Sequence, residues 1–106
     1  MKIFGVAACI TGVAHTYMAQ EAIEQECKKR GYDVKVETQG GMGIENELSE
    51  DEIAEADVVI LAIAIGIEGV ERFEEKEDAG LIISLNPAEV VRDPAAIIDR
   101  AEKLVK

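Results

Sequence analysis

Ala7-Ala8-Cys9-Ile10-Thr11-Gly12-Val13-Ala14-His15-Thr16 sets a thiol, two hydroxyls, a glycine and an imidazole directly behind an apolar run. A thiol reacts as its thiolate, and an electropositive setting such as a helix N-terminus lowers its pKa. The same setting, lined by backbone N–H groups, holds an anion. Cys9 is therefore the candidate catalytic residue, suited to accept a phosphoryl group on sulfur and hold it. Ile10, Thr11, Gly12, Val13, Ala14, His15 and Thr16 are the candidate phosphate-binding loop. Gly12 permits a tight curve, the Thr11 and Thr16 hydroxyls can donate to phosphate oxygens, and His15 can donate or carry charge. Plainer readings stand beside these: Cys9 as a buried inert thiol, His15 as a surface residue of a first helical turn, Thr16 as no more than an N-cap.

Such a loop needs a strand before it and a helix after it. Lys2 to Ala8 is a continuous apolar run of the kind buried on both faces of a parallel sheet. From about Thr16 to Arg30 the apolar residues Ala19, Ala22, Ile23 and Cys27 recur at helical spacing, with basic residues in the last turn and Gly31 as a left-handed cap. Cys27 continues that stripe and reads as core packing. Asp33 to Thr38 alternates strictly, which predicts a second strand with one less buried face. Gln39 to Gly43, with three glycines, reads as a loop.

Ser49-Glu50-Asp51-Glu52 is a capping box opening a short helix to about Ala56. Asp57 to Ile65 is the third strand. Gly66 to Gly80 is charged and irregular, with one helical turn around Val70 to Phe73, and Leu81 to Leu85 is the fourth strand. Asp93-Pro94 then starts a closing helix over Ala95 to Val105. This order predicts a three-layer α/β/α, Rossmann-like fold with a parallel four-stranded sheet. Ligands of such sheets sit beyond the carboxyl ends of the strands, which is where Cys9 falls.

At 106 residues the chain, 1–106, is expected to form a single domain. Its longest apolar run, Val58 to Ile67, is ten residues, far short of the about 20 that span a bilayer. No secretory signal pattern opens the chain, so a cytoplasmic location is expected, and the two cysteines are read as free thiols. The net charge is −11 and aromatic residues make up 4%. Such a surface repels a phosphate backbone and offers few stacking faces, which disfavours nucleic acid. Cys9, His15 and Cys27 lack paired metal-ligand spacing, so no metal is implied, and no glycine-lysine-serine/threonine ending marks a nucleotide loop.

A cysteine loop that binds an anion suits a phosphatase or a phosphocarrier. Low-molecular-weight tyrosine phosphatases follow their cysteine, after five intervening residues, with a phosphate-clamping arginine, and use an aspartate-proline pair as general acid. Here His15 holds the arginine's place, and Asp93-Pro94 is better explained as a helix start. A carrier gains from lacking a general acid, which would discharge its phosphocysteine to water.

Cys9-Ile10-Thr11-Gly12-Val13-Ala14-His15-Thr16-Tyr17-Met18-Ala19 closely resembles the CPTGIAHTYMA motif of fructose-type IIB domains of the bacterial phosphoenolpyruvate-dependent sugar phosphotransferase system. The resemblance continues in Val36-Glu37-Thr38-Gln39-Gly40, in Gly43, Asn46 and Leu48, in Ile53 to Ala62, in Glu71-Arg72-Phe73 and in the Asp93-Pro94 helix. It implies a phosphatase-like cysteine loop after the first strand and a cytoplasmic component peripherally associated with a membrane permease. Cys9 would take a phosphoryl group from the phosphohistidine of a IIA partner. It would pass that group to a sugar, typically fructose, moving through a IIC partner, with no cofactor of its own. Two other readings stay open, a phosphatase-like hydrolase and a non-catalytic regulatory module of the same shape.

Three departures from the family pattern stand out. Ile10 replaces a proline, which would have fixed one backbone angle. Ile63-Ala64-Ile65-Gly66 lacks the aspartate and the lysine often found after the third strand, and Glu74 to Gly80 lacks a glycine-lysine-proline turn.

Overall fold

A computed structural model of the chain describes residues 1–8, 13–40, 43–64 and 66–105, with side chains in the first helix described from Thr16 onward. Strand β1 (Lys2–Ala8) leads to helix α1 (Val13–Lys29), β2 (Asp33–Gly40), β3 (Gly43–Glu45), α2 (Glu50–Glu55) and β4 (Val58–Ile63). A 3₁₀ turn (Val70–Phe73), α3 (Glu74–Asp78), β5 (Ile82–Leu85), α4 (Pro87–Arg92) and α5 (Pro94–Val105) complete it. The sheet order is β3-β2-β1-β4-β5, with β2, β1, β4 and β5 parallel and β3 antiparallel to β2.

The sheet thus has five strands and is mostly parallel, where four parallel strands were expected. The Gln39 to Gly43 loop is the source of the difference. Gln39 and Gly40 extend β2, and Gln39 pairs with Ile44 and Gly40 with Gly43 across a short hairpin. Gly43 takes a φ of +92°, a backbone conformation that glycine enters without steric cost. Glycine-rich composition signals a turn but does not separate a hairpin from an open loop.

Local chemistry explains the other boundaries. Helix α1 starts at Val13, three residues before the periodicity begins, and ends in a Schellman motif. There Tyr32 N donates to Cys27 O at 2.9 Å, Gly31 N to Lys28 O at 3.1 Å, and Gly31 has a φ of +77°. The Ser49–Glu52 capping box is present in both directions. The 3₁₀ turn over Val70 to Phe73 stands where a helical turn was predicted, but Glu74 to Asp78, expected to be irregular, is helix α3. Helix α4 escaped prediction: Asn86 caps it, accepting from Ala88 N at 2.9 Å, and Pro87 is its first residue. Asp93 caps α5 by accepting from Ala96 N at 3.2 Å.

Helices cover both faces of the sheet. On one face α1, α4 and α5 pack Ala19, Ile23, Cys27, Val90, Ile97, Ile98 and Ala101 against Ile3, Ala7, Val58, Ile60 and Ala62. On the other, Leu48, Ile53, Ala56 and Phe73 pack against Phe4, Val6, Val59 and Leu61. Between them, β1 and β4 approach so closely that a Cβ on Gly5 would lie 2.7 Å from the Ile60 carbonyl oxygen.

Candidate functional site at the carboxyl edge of the sheet

The four parallel strands end along one edge, and their register fixes what stands beside the end of β1. Ala8 is level with Gln39 on β2 and with Ile63 on β4, and its carbonyl accepts from Ala64 N at 2.9 Å. The chain leaves β1 after Ala8 and enters α1 at Val13. Cys9, Ile10, Thr11 and Gly12 of the expected site lie outside the described residues. Val13, Ala14 and His15 form the first turn of α1.

Thr16 is the site residue whose side chain is described. It lies inside α1, the fourth residue of the helix, so it is not the N-cap. It is 3% exposed, and its hydroxyl has no hydrogen-bond partner among the described residues. A buried hydroxyl left without a partner is costly, about 1–3 kcal/mol, so one that persists calls for an explanation. The hydroxyl lies one turn from the start of α1, where backbone N–H groups are left without intrahelical partners.

On the opposite face of the sheet, side chains from β2 and the 3₁₀ turn form a closed network. Glu37 is fully buried, contrary to the expectation that the alternation of β2 leaves one face less covered. Its Oε1 accepts from Leu48 N at 2.8 Å and Arg72 Nη1 at 2.8 Å, and its Oε2 from Arg72 Nη2 at 3.0 Å and Gln39 Nε2 at 2.6 Å. Arg72 also donates to Gly69 O at 2.7 Å, Leu48 O at 2.7 Å and Glu68 O at 3.1 Å, so all five guanidinium N–H groups are engaged. Burial alone would push the Glu37 carboxyl up; the hydrogen bonds from Arg72, Leu48 and Gln39 outweigh it and hold the pKa below its ordinary value. Gln39 grips Glu68 at two points, donating to its carbonyl at 3.0 Å and accepting from its N–H at 2.8 Å. Glu37, Gln39 and Arg72 were visible in the sequence only as parts of a family resemblance, with no role attached.

Two further contacts bear on the edge. The Tyr17 hydroxyl, on α1 beside Thr16, donates to Glu45 on β3, and that hydrogen bond raises the phenol's pKa. Cys27 is fully buried in the α1 core as expected, and burial pushes its thiol up to about 12. A cavity of about 790 Å³ opens beside α2 and α3, but none of its lining residues comes from β1 or α1.

An open, mostly parallel five-stranded sheet with helices on both faces defines an α/β protein. The chain matches, over residues 4–100, the family described as "PTS system, Lactose/Cellobiose specific IIB subunit". It is 48% identical over 101 residues to the PTS system fructose-like EIIB component 2 of Escherichia coli (strain K12), covering 95% of this chain and 92% of that one. It superposes with a TM-score of 0.86 on a crystallised domain of the fructose-specific IIABC component from Borrelia burgdorferi, at 44% identity over 96% of this chain and 93% of the other. A solution structure of the enzyme IIB subunit of a PTS system from Escherichia coli K12 gives a TM-score of 0.88 at 36% identity, covering 98% and 93%. The chain belongs to the PTS IIB family. Among its described residues no helix is long and apolar enough to cross a membrane.

Proposed function

We propose that residues 1–106 form one fructose-type IIB domain that carries a phosphoryl group on Cys9 between a IIA phosphohistidine and a sugar. In the first step the Cys9 thiolate attacks phosphorus in line, the S–P bond forms and the N–P bond breaks, returning the imidazole to IIA. In the second a sugar hydroxyl attacks, the O–P bond forms, the S–P bond breaks to regenerate the thiolate, and the hydroxyl proton passes to solvent. The relatives named as fructose-like EIIB components support fructose, or a close analogue, as the sugar, which a membrane IIC partner would deliver at the cytoplasmic face. Val13 to Thr16 would offer N–H groups and a hydroxyl to the equatorial oxygens.

The observation that carries this reading is the buried Thr16 hydroxyl, unpartnered among the described residues, one turn into the helix that follows Cys9. The hydrolase reading loses support from two side chains. Arg72 has no N–H left for a phosphoryl clamp, and Asp93, of the aspartate-proline pair, is spent on capping α5.

Phosphorus NMR after incubation with phosphorylated IIA tests the proposal. A sulfur-bound resonance that disappears in Cys9→Ser, persists in Cys27→Ser and discharges only with IIC and sugar is the expected result. Prompt release of inorganic phosphate would favour the hydrolase, and binding without any label would favour the regulatory module; either overturns the proposal.

A further inference from the structure

Strand β1 lies between β2 and β4, so residues on β2 and β4 are two strand spacings apart, about 9.6 Å. Gln39, level with Ala8 on β2, nevertheless holds the backbone of Glu68, five residues beyond the end of β4, through both its carbonyl and its N–H. This side-chain strap therefore crosses the carboxyl end of β1, the point from which the chain continues into Cys9. It crosses on the face of Glu37 and Leu48, since residues two apart on a strand share a face, while α1 packs on the other. The end of β1 is thus enclosed between the strap and α1.

The strap is anchored rather than loose. Gln39 is 6% exposed, and its amide also donates to Glu37 Oε2, whose remaining acceptor sites are filled by Arg72 and Leu48. Arg72 adds a second hydrogen bond to the same Glu68 carbonyl. A carboxamide suits this place because it supplies a donor and an acceptor to one peptide unit, as a neighbouring strand would; a carboxylate would lack the donor and would face Glu37.

We propose that Gln39 is a positioning residue for phosphoryl transfer: by tying Glu68 across the end of β1 it fixes the segment after β4 beside Ala8, the residue that precedes Cys9. The proposal rests on Cys9 being the acceptor. It acts through backbone placement and not through contact with the phosphoryl group, so its loss should lower kcat and leave docking of the partner, read as KM, unchanged. A misplacement of about 1 Å can cost on the order of 100-fold in rate.

The test compares Gln39→Leu with Ile98→Val, a conservative change in the core on the α1, α4 and α5 side, after melting curves have matched their stabilities by temperature or denaturant. With phosphorylated IIA in the assay, Gln39→Leu should lower kcat about tenfold or more with KM within about twofold, and Ile98→Val should leave both near wild type. Alkylation of Cys9 by iodoacetamide across pH gives a readout independent of the phosphotransferase reading, and Gln39→Leu should change that profile while Ile98→Val does not. An unchanged kcat and alkylation profile in folded Gln39→Leu, or equal losses in both variants, would overturn the positioning role. Failure of wild-type protein to take label overturns the Cys9 reading instead, and the alkylation profile then decides whether the strap sets the end of β1.

Discussion

Arg72 and Glu37, 35 residues apart in the chain, meet in a two-point ion pair at 2.8 and 3.0 Å in which the carboxylate is fully buried and the guanidinium side chain is 12% exposed. The pair joins β2 to the 3₁₀ turn and, through Leu48, to the segment that opens α2. Such a pair is conditional: two well-bonded charges offset each other's desolvation, whereas one left alone does not.

Removing one partner should therefore be severe. Arg72→Ala leaves the Glu37 carboxylate buried without its cation, an expected loss of about 3–5 kcal/mol. Glu37→Leu combined with Arg72→Met should lose less than the sum of the two single changes. Urea denaturation of the four proteins measures this, and additive losses would refute the coupling.

The same pair sets an acid limit. The Glu37 carboxyl is held below its ordinary value of 4.5, so the unfolded chain takes up this proton before the folded one does. Its contribution to stability is fully present above about pH 4.5 and is lost as pH falls from there through the lower folded pKa. Stability measured from pH 7 to 3 should decline over that range, and the Glu37→Leu, Arg72→Met protein should decline less steeply.

Gly5 and Gly40 should respond unequally to a methyl group. At Gly5 it would lie 2.7 Å from the Ile60 carbonyl oxygen, a backbone atom that moves only if β1 and β4 separate. At Gly40 it would meet nothing within 4 Å. Gly5→Ala should cost about 1–3 kcal/mol and Gly40→Ala less than about 0.5 kcal/mol; equal denaturation midpoints would contradict the close approach.

The two cysteines should separate by reactivity. Cys27 is fully buried and its thiol is pushed up to about 12, so it should resist iodoacetamide until the protein unfolds. The one thiol modified in native protein near neutral pH is expected to be Cys9, identified by peptide mass spectrometry. Native labelling of Cys27 at a comparable rate would sink that division.

What could be read in advance followed the range of the signal. The apolar run of β1, the Ser49–Glu52 capping box, Gly31 and Asp93-Pro94 are local patterns with local causes, and each stands where the residues placed it. Helix α4 was missed although Asn86-Pro87 is a local start signal, because its six residues are too few to establish a period. The burial of Glu37 was not legible at all. A charged residue in an alternating strand reads as solvent-facing, and only Arg72, Gln39 and Leu48, brought in by tertiary structure, reverse that. Of the expected site, the position of α1 behind β1 and the burial of Thr16 are visible, while Cys9 to Gly12 lie outside the described residues.

Thr16 offers a test in which the rate of phosphoryl acceptance, and not stability, separates a bystander hydroxyl from a phosphate-binding one. Valine matches threonine in shape but has no hydroxyl. If the buried hydroxyl has no part in phosphate binding, removing a group that has no partner among the described residues leaves stability unchanged or raises it and leaves phosphoryl acceptance unchanged. If it donates to a phosphoryl oxygen, Thr16→Val should keep or gain stability and yet lose phosphoryl acceptance, because a preorganised donor missing from the transition state costs on the order of 100-fold or more in rate. Thr16→Ser, which restores the hydroxyl without the methyl, should recover most of that rate at some cost in packing. Rates of Cys9 labelling from phosphorylated IIA, set beside denaturation midpoints for the three proteins, decide it: a Thr16→Val protein as fast as wild type would remove Thr16 from the phosphate-binding set.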